Sequence, residues 1–378
     1  MVNKFYIIAG EASGDLHASN LIKAFKEKDA SFDFRFWGGD HMKSVTQKEP
    51  VKHIKDLAFM GFIEVILNLR TIFKNIKLCK QDILVYQPDA LILVDYPGFN
   101  IRIAKWAKAQ GIKVYYYISP QVWAWKQKRV HTIKKVVDKL FVILPFEKDF
   151  YAQFGMEVEY VGHPLMDVIL PLKSKENEQA VRQKLGLSSK PILAILPGSR
   201  KQEIKIKLPI MLKGVQSFTE YEVLVAGAPS MDYSFYAPFL SDYSNVKWID
   251  NATYNLLSIA EGAVVTSGTA TLETALFNVP QVVCYKGSFI SYWIAKQLVK
   301  IKFISLVNLI LNKEAVKELI QQECTPKNIE LELKKILPQG DNHNTVLENY
   351  KKLVNLLGYG GASEKTATGI LSDLNIKQ

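Results

Sequence analysis

The feature that most constrains the fold is an alternation of short apolar segments with longer amphipathic ones, which occurs twice along the 378 residues. The apolar segments include ALILVDY, KVYYYIS and KLFVILP in the first half, and ILAILPGS, YEVLVAGA, AVVTSG and QVVCYKG in the second. Apolar strands that alternate with helices are typical of parallel sheets buried on both faces. The sequence therefore predicts an α/β protein with two Rossmann-like domains that face each other across a cleft.

The alternation is interrupted between residue 162 and about residue 171, which predicts a domain boundary. We predict a first Rossmann-like domain over residues 1–165, a second over residues 166–343, and a helical tail over residues 344–378. The tail is expected to return to the first domain or to pack on a partner chain, so a homodimer is one of the predicted assemblies. The polar segment 173–190 predicts one helix before the second series of strands.

Charge and cysteine usage restrict the compartment and the partners. The chain has 48 Lys and Arg against 37 Asp and Glu, a net charge of +11, which predicts attraction to phosphates, acidic lipid headgroups or nucleic acid. Its three cysteines are far apart and lack a C-x-x-C pair, which argues against disulfides and zinc and favours a reducing cytoplasm. The first residues predict a β-strand and not a secretory signal, so we expect a cytoplasmic protein.

The loop GEASGD, residues 10–15, follows the apolar strand at residues 5–9. Its two glycines are four residues apart, without a second G-x-G and without a lysine, which excludes the dinucleotide fingerprint and the phosphate loop. No cofactor is predicted. Glu11, Ser13 and Asp15 lie at the carboxyl end of the predicted strand, where parallel sheets usually meet their ligand. These three residues are predicted to line the cleft.

Polar strand ends in the second half predict a nucleotide site. Gly198 allows close approach of the backbone, and Arg200 offers a planar fork suited to a diphosphate. The segment TSGTATLE leads into a helix whose amino end favours phosphate, and Glu273, one turn into that helix, is suited to a ribose diol. Each glycine alone could form a turn and each hydroxyl a helix cap, but their joint occurrence favours a site. The predicted contacts are Gly198, Ser199, Arg200, Ser267, Gly268, Thr269, Ala270, Thr271 and Glu273.

Asp95 is the strongest candidate for chemistry in the first half. It follows the apolar residues 90–94 and precedes Tyr96 and Pro97, so its carboxylate lies at a strand end and is suited to act as a general base. The alternative is an aspartate that bonds the backbone of its own turn. The chain has no D-x-D carboxylate pair, so no metal is predicted. Charge neutralisation is instead expected from Arg200, backbone N–H groups and a helix end.

Several motifs together identify a family. GEASGD, MGFIEV, SPQVWAWKQKRV, LPFEK, LPGSR, SGTATLE and SLVNLI, followed by KELIQQE, resemble lipid-A-disaccharide synthases in order and spacing over residues 10–323. The resemblance implies an inverting glycosyltransferase of the two-Rossmann-domain, GT-B type. It implies that UDP-2,3-diacylglucosamine is joined to 2,3-diacylglucosamine 1-phosphate through a β-1,6 linkage, with release of UDP, in lipid A biosynthesis.

The resemblance also implies roles for individual residues. Asp95, Arg200 and Asn308 match the positions essential in the family, although Val307 stands where the family has proline and leaves the backbone there less rigid. The carboxyl-terminal half is expected to hold the nucleotide sugar and the amino-terminal half the acceptor. Glu11, Ser13 and Asp15 would then contact the acceptor at the cleft.

A lipid substrate requires access to a membrane, and residues 57–77 provide an amphipathic segment for it. Glu64, Asn68 and Arg70 interrupt its apolar face, which disfavours a spanning helix and favours one that lies in the interface, on the inner face of the cytoplasmic membrane. The basic run at residues 126–129 is expected to add attraction to anionic headgroups. The alternative is a helix packed on the domain core. The predicted membrane contacts are Met60, Ile63, Ile66, Leu67 and Phe73.

Three other functions remain open from the residues alone. A sugar-nucleotide epimerase or hydrolase would share the two domains and the UDP pocket without needing a second acylated substrate. A non-enzymatic carrier would bind a nucleotide sugar or a lipid without consuming it. Nucleic-acid binding is suggested by charge alone, and is disfavoured because the basic residues lack an interleaved aromatic platform.

Overall fold

The chain forms two compact units in a computed structural model that describes residues 3–57, 69–173, 178–229, 231–287 and 302–376. The first unit comprises Met1–Asp167 together with Gly360–Gln378, and the second comprises Val168–Tyr359. Each unit is an α/β domain with a parallel sheet, as the alternating apolar segments predict.

The sheet of the first unit has seven strands within the described ranges, in the order β3-β2-β1-β4-β5-β6-β7. Alternate residues of β1 face opposite sides of this sheet. Phe5 and Ile7 pack with Leu21 on one side, whereas Tyr6 and Ile8 pack with Ile103 on the other. Burial on both faces explains why β4 is apolar throughout and β1 is apolar from Phe5 onward. The strands are β1 (Lys4–Ala9), β2 (Asp33–Gly38), β3 (Lys52–His53), β4 (Ala90–Val94), β5 (Lys113–Tyr117), β6 (Lys139–Val142) and β7 (Glu159–Tyr160).

The helices of the first unit cover both faces of its sheet. Leu21 and Ile370 come from helices on one face, and Ile103 and Ile133 come from helices on the other. The described helices are α1 (Ala12–Lys28), α2 (Asp40–Thr46), α3 (Leu69–Tyr86), α4 (Pro97–Ala109), α5 (Val122–Trp125), α6 (Val130–Val136), α7 (Glu147–Ala152), the beginning of α8 (Pro164–Lys173), and α17 (Ala362–Asp373).

The second unit contains a sheet whose described strands run in the order β10-β9-β8-β11-β12-β13. These strands are β8 (Ile192–Leu196), β9 (Glu222–Ala226), β10 (Val246–Ile249), β11 (Gly262–Thr266), β12 (Gln281–Tyr285) and β13 (Lys317–Ile320). Its described helices after α8 are α9 (Glu178–Leu185), α10 (Lys201–Val215), α11 (Tyr233–Leu240), α12 (Thr253–Ile259), α13 (Thr269–Leu276), α14 (Leu306–Leu311), α15 (Pro326–Ile336) and α16 (His343–Leu357).

Both sheets reverse their strand order at one point, between β1 and β4 in the first unit and between β8 and β11 in the second. The loops that leave the carboxyl ends of two such strands diverge to opposite sides and open a crevice, which is where ligands of open α/β sheets bind. The candidate residues are therefore expected at these two switch points.

The predicted tail, residues 344–378, is divided between the units: α16 lies in the second and α17 in the first. Asp167 helps to hold α17 in place, because its carboxylate accepts backbone hydrogen bonds from Gly361 at 2.6 Å, Ala362 at 3.2 Å and Ser363 at 3.0 Å. Three N–H groups of the helix amino end, which have no partner inside the helix, are satisfied in this way.

The single helix predicted over residues 173–190 is shorter in the structure. Within that range α9 covers Glu178–Leu185 and ends before Gly186, whose φ of 62° lies in the left-handed region that glycine adopts at helix ends. Among the described helices, none combines the length and the apolar character needed to cross a membrane.

Candidate active site

Asp95 lies in a strained turn at the switch point of the first unit. It and Tyr96 have positive φ values of 46° and 50°, directly between the end of β4 and the start of α4. Non-glycine residues in this region cost about 1–3 kcal/mol each and persist only where their surroundings hold them. Here the Asp95 carbonyl accepts hydrogen bonds from the Tyr116 hydroxyl at 2.6 Å and from Asn100 Nδ2 at 2.8 Å. These two contacts fix the backbone that carries the carboxylate.

The surroundings of the Asp95 carboxylate favour its neutral form. Burial, followed by the nearby charge of Glu11, raises the pKa of Asp95 to about 6. A general base is most effective when its pKa lies close to the working pH. With a pKa of about 6, Asp95 is still mostly ionised at pH 7, and it is a stronger base than an ordinary aspartate.

The GEASGD loop lies beside this turn, because β1 and β4 are neighbours in register, with Ala9 opposite Val94. A Cβ atom at Gly10 would lie only 2.2 Å from the Tyr96 ring, so only glycine fits at this close approach. Glu11 precedes the first residue of α1 and is partly exposed, and Ser13 is exposed. The structure thus brings Glu11 and Asp95 together, as two carboxylates close enough to interact.

Asp15 makes several hydrogen bonds within the first unit. It is buried, and its carboxylate accepts backbone hydrogen bonds from Gly39 at 2.7 Å, His41 at 2.9 Å and Met42 at 3.2 Å. These bonds hold the start of α2. The Asp15 carboxylate, which the sequence predicts to line the cleft, thus fixes the backbone beneath the loop.

The LPGSR loop leaves β8 at the switch point of the second unit. Gly198 has a φ of 112°, and a Cβ atom there would lie 2.8 Å from Glu203 Oε2 and 3.5 Å from Thr266 Cγ2. Glycine thus lets this loop pack against the end of β11. Ser199 is exposed, and the Arg200 side chain is 61% exposed, with Nη1 3.4 Å from Glu203 Oε1.

The amino end of α13 forms the other side of this switch point. Gly268 precedes the helix with a φ of 146°, and Gly268 and Thr269 are exposed, whereas Ala270 is half-buried. Ser267 is also half-buried and donates its hydroxyl to the Ile304 carbonyl at 3.0 Å. Thr271 is fully buried and donates to the Gly268 carbonyl at 2.8 Å, so its hydroxyl stabilises the helix start.

Glu273 is oriented by a residue that the sequence analysis missed. The Tyr254 hydroxyl donates to Glu273 Oε1 at 2.8 Å, and burial raises the pKa of the Glu273 carboxyl. Tyr254 lies on α12, 19 residues earlier in the chain, so no local motif connects the two.

Asn308 is fully buried, and both the oxygen and the nitrogen of its side-chain amide are hydrogen-bonded. Its Oδ1 accepts from the backbone N–H groups of Ala315 at 2.7 Å and Val316 at 2.9 Å, while Nδ2 donates to the Val316 carbonyl and to Glu318 Oε1, each at 2.9 Å. The resemblance implied a catalytic role for this residue, whereas in the structure the amide connects α14 to β13. Glu318 was not predicted as a site residue.

The predicted membrane residues are only partly described. Met60, Ile63, Ile66 and Leu67 lie outside the described residues. Phe73 lies on α3 and is 59% exposed, with the Arg102 guanidinium 5.8 Å from the centre of its ring. Further along α3, three more large apolar side chains are exposed, namely Leu78, Leu84 and Val85. No group of three or more His, Cys, Asp and Glu residues in the described part of the chain is arranged to hold a metal ion.

Comparison with known proteins places the chain in a family. A family model described as lipid-A-disaccharide synthetase matches residues 5–367. The lipid-A-disaccharide synthase of Syntrophus aciditrophicus is 40% identical over 373 residues, 97% of this chain and 96% of the relative. That of Nitrosococcus oceani is 39% identical over 360 residues, 94% and 92% of the two chains. The chain belongs to the lipid-A-disaccharide synthase family.

Membership confirms the predicted family, the glycosyltransferase class and the role in lipid A disaccharide synthesis, and it does not favour the epimerase, hydrolase or carrier alternatives. Solved structures with a similar fold include a UDP-GlcNAc 2-epimerase from Neisseria meningitidis, with a TM-score of 0.70, 13% identity and coverage of 98% of this chain and 100% of that one. A glycosyltransferase from Rickettsia africae has a TM-score of 0.59 at 12% identity, and each chain is fully covered. At such identities the likeness shows the fold alone, and it confirms the predicted GT-B class.

Proposed function

We propose that this chain transfers the acylated glucosamine of UDP-2,3-diacylglucosamine to the 6-hydroxyl of 2,3-diacylglucosamine 1-phosphate, forming a β-1,6 linkage and releasing UDP. The supporting observation is that each switch point gathers residues suited to one half of this reaction. The first unit holds Asp95, whose raised pKa suits a base. The second holds Arg200 after β8 and the amino end of α13 after the neighbouring strand β11.

In the proposed reaction Asp95 accepts the proton of the acceptor 6-hydroxyl. The oxygen forms a bond to the anomeric carbon on the face opposite to UDP, which gives inversion. The bond from that carbon to the diphosphate oxygen breaks, and its electron pair leaves with UDP. The Glu11 charge contributes by raising the pKa of Asp95, which makes it a stronger base for this proton.

The donor is proposed to bind in the second unit. Arg200 is exposed at the end of β8, and its guanidinium suits the paired oxygens of a diphosphate. Gly268 and Thr269 are exposed at the amino end of α13, which follows the strand next to β8, and such a helix end favours phosphate. Glu273, oriented by Tyr254, is proposed to accept hydrogen bonds from the ribose hydroxyls. Stabilisation of the leaving group by such fixed groups requires no metal.

The acceptor is proposed to bind in the first unit, with Glu11 and Ser13 contacting its sugar. Both residues lie on the loop beside the Asp95 turn, and Ser13 is exposed. A 6-hydroxyl placed at Asp95 would bring the rest of the glucosamine 1-phosphate against this loop.

The acyl chains are proposed to remain in the inner face of the cytoplasmic membrane, to which the protein binds peripherally. The exposed apolar side chains of α3 support this proposal, since four of them, Phe73, Leu78, Leu84 and Val85, lie on one helix with the exposed Lys74 and Lys77. Apolar side chains are expected to contribute more free energy of membrane binding than nearby basic residues. A fully buried apolar side chain is worth about 1.5–3 kcal/mol, and a basic residue near the surface about 1 kcal/mol.

The decisive experiment measures UDP release from the purified protein with each substrate alone and with both together. Release that requires both substrates is expected. Release with the donor alone would indicate a hydrolase, and binding without any release would indicate a carrier. A homodimer stays a prediction, and light scattering on the eluting protein measures it directly.

A further inference from the structure

Glu318 is a buried carboxylate in β13 that collects hydrogen bonds from the segment before α14. It is 7% exposed. Its Oε1 accepts from the Ser305 backbone N–H at 2.9 Å, from the Ser305 hydroxyl at 2.8 Å and from Asn308 Nδ2 at 2.9 Å. Its Oε2 accepts from the Ile304 backbone N–H at 3.0 Å. One buried charge therefore holds residues 304–308.

Asn308 completes this network and has no capacity left for a ligand. A carboxamide offers two N–H donors and two acceptor lone pairs. All four are used: Nδ2 bonds Val316 and Glu318, and Oδ1 bonds Ala315 and Val316. The side chain is also completely inaccessible to solvent. A substrate contact would require at least one of these bonds to break.

The network reaches the proposed donor site through one further bond. The Ile304 N–H donates to Glu318, and the Ile304 carbonyl accepts a hydrogen bond from the Ser267 hydroxyl at 3.0 Å. The Ser267 N–H is held by the Cys284 carbonyl at 3.1 Å, so Ser267 is fixed from two sides. Ser267 directly precedes Gly268, which begins the amino end of α13. A shift of residues 304–305 would therefore move the backbone that faces the diphosphate.

We propose that Glu318 is a positioning residue for the donor: it holds residues 304–305, which hold Ser267 and the amino end of α13, and Asn308 acts through the same network without touching substrate. This inference rests on the proposed function, because it assumes that UDP binds at the amino end of α13.

The test compares Glu318→Gln with a matched control in the same sheet. Glu222 is also 7% exposed, and it accepts the Ser188 backbone N–H at 3.1 Å and the Ser188 hydroxyl at 2.9 Å. It begins β9, at the amino end of its strand, whereas ligands bind at the carboxyl ends. Glu222 also forms an ion pair with Lys247 at 2.5 Å, which Glu318 does not have among the described residues. Glu222→Gln therefore removes a buried, hydrogen-bonded carboxylate away from the proposed site.

We expect Glu318→Gln to raise the Kd for UDP and the KM for the donor roughly tenfold, because a displaced amino end of α13 would lose about one hydrogen bond to the charged diphosphate. The acceptor KM should stay within about twofold of wild type, and Glu222→Gln should leave all three values unchanged. Ser267→Ala combined with Glu318→Gln should weaken UDP binding less than the sum of the single effects, since coupled residues are not additive. Calorimetry with UDP and steady-state kinetics measure these values.

An unchanged Kd for UDP in Glu318→Gln, or an equal rise in Glu222→Gln, would overturn the proposal. If Glu318→Gln does not fold, Ser305→Ala removes one bond to Glu318 and the hydroxyl that caps α14 at the Asn308 N–H, and it should show the same pattern at smaller amplitude. Asn308→Asp should also weaken UDP binding, whereas a loss of kcat at normal UDP affinity would show that Asn308 touches the reacting atoms. Wild-type protein that fails to bind UDP would refute the proposed function instead.

Discussion

Asp95→Asn should lower turnover and raise stability at the same time. Burial and the Glu11 charge raise the pKa of Asp95 from its ordinary value of 3.8 to about 6, so the folded state binds the proton more tightly than the unfolded state. Wild-type stability therefore falls as the pH rises through this window, and the full penalty is present above it. A shift of about two pKa units, at about 1.4 kcal/mol each, gives a penalty of at most about 3 kcal/mol.

Asparagine removes the charge while tolerating the positive φ of the turn, as few other residues do. At pH 8 the variant should melt on the order of 5–10 °C above wild type, since 1 kcal/mol corresponds to about 2–4 °C for domains of this size. The difference should fade as the pH falls through 6 towards 4. Turnover should fall by roughly a hundredfold or more, because the general base is lost. Wild-type turnover should itself decline below about pH 6, as Asp95 becomes protonated.

The measurements are thermal unfolding at pH 8 and pH 5 and steady-state UDP release. Asp373→Asn is the control with the opposite sign: hydrogen bonding from Tyr115 lowers the pKa of Asp373, so that variant should lose stability at pH 8 and keep its turnover. Near-normal turnover in Asp95→Asn, or a lower melting temperature at pH 8, would refute the assignment of Asp95 as a buried base whose charge destabilises the folded state.

Other perturbations test the donor site and the membrane contact. Arg200→Ala should lower kcat by roughly 10²–10³ without changing the melting temperature, because the side chain is exposed and acts on the leaving group; a normal rate would contradict this role. Tyr254→Phe should weaken UDP binding severalfold by calorimetry, since the Glu273 carboxyl loses its orienting bond. Phe73→Ser should reduce flotation with anionic vesicles, whereas Leu331→Ser, which replaces an exposed leucine of the second unit, should not. Chelator should leave turnover unchanged, and strong inhibition by it would reveal a metal.

Much of the architecture can be predicted from the sequence because it depends on local patterns. Strands buried on both faces must be apolar along their whole length, so the segments at β4, β5, β8 and β11 are visible without any structure. Glycine is required at Gly198, where φ is positive. Polar residues just after apolar strands indicate a ligand edge, and the family motifs lie on the same loops. These signals span only a few residues each.

The tertiary structure decided which groups the candidate side chains contact. The sequence predicts Asp15 at the cleft, and its hydrogen-bond partners begin 24 residues away, at Gly39, where its carboxylate holds the start of α2. Asn308 lies in a family motif on α14, but its partner Glu318 lies ten residues later, in strand β13. Asp167 binds α17 across 194 residues. The reason is physical: a buried polar group must find hydrogen-bond partners, and which groups come within 3 Å is set by strand order and packing. Spacing along the chain does not encode that proximity.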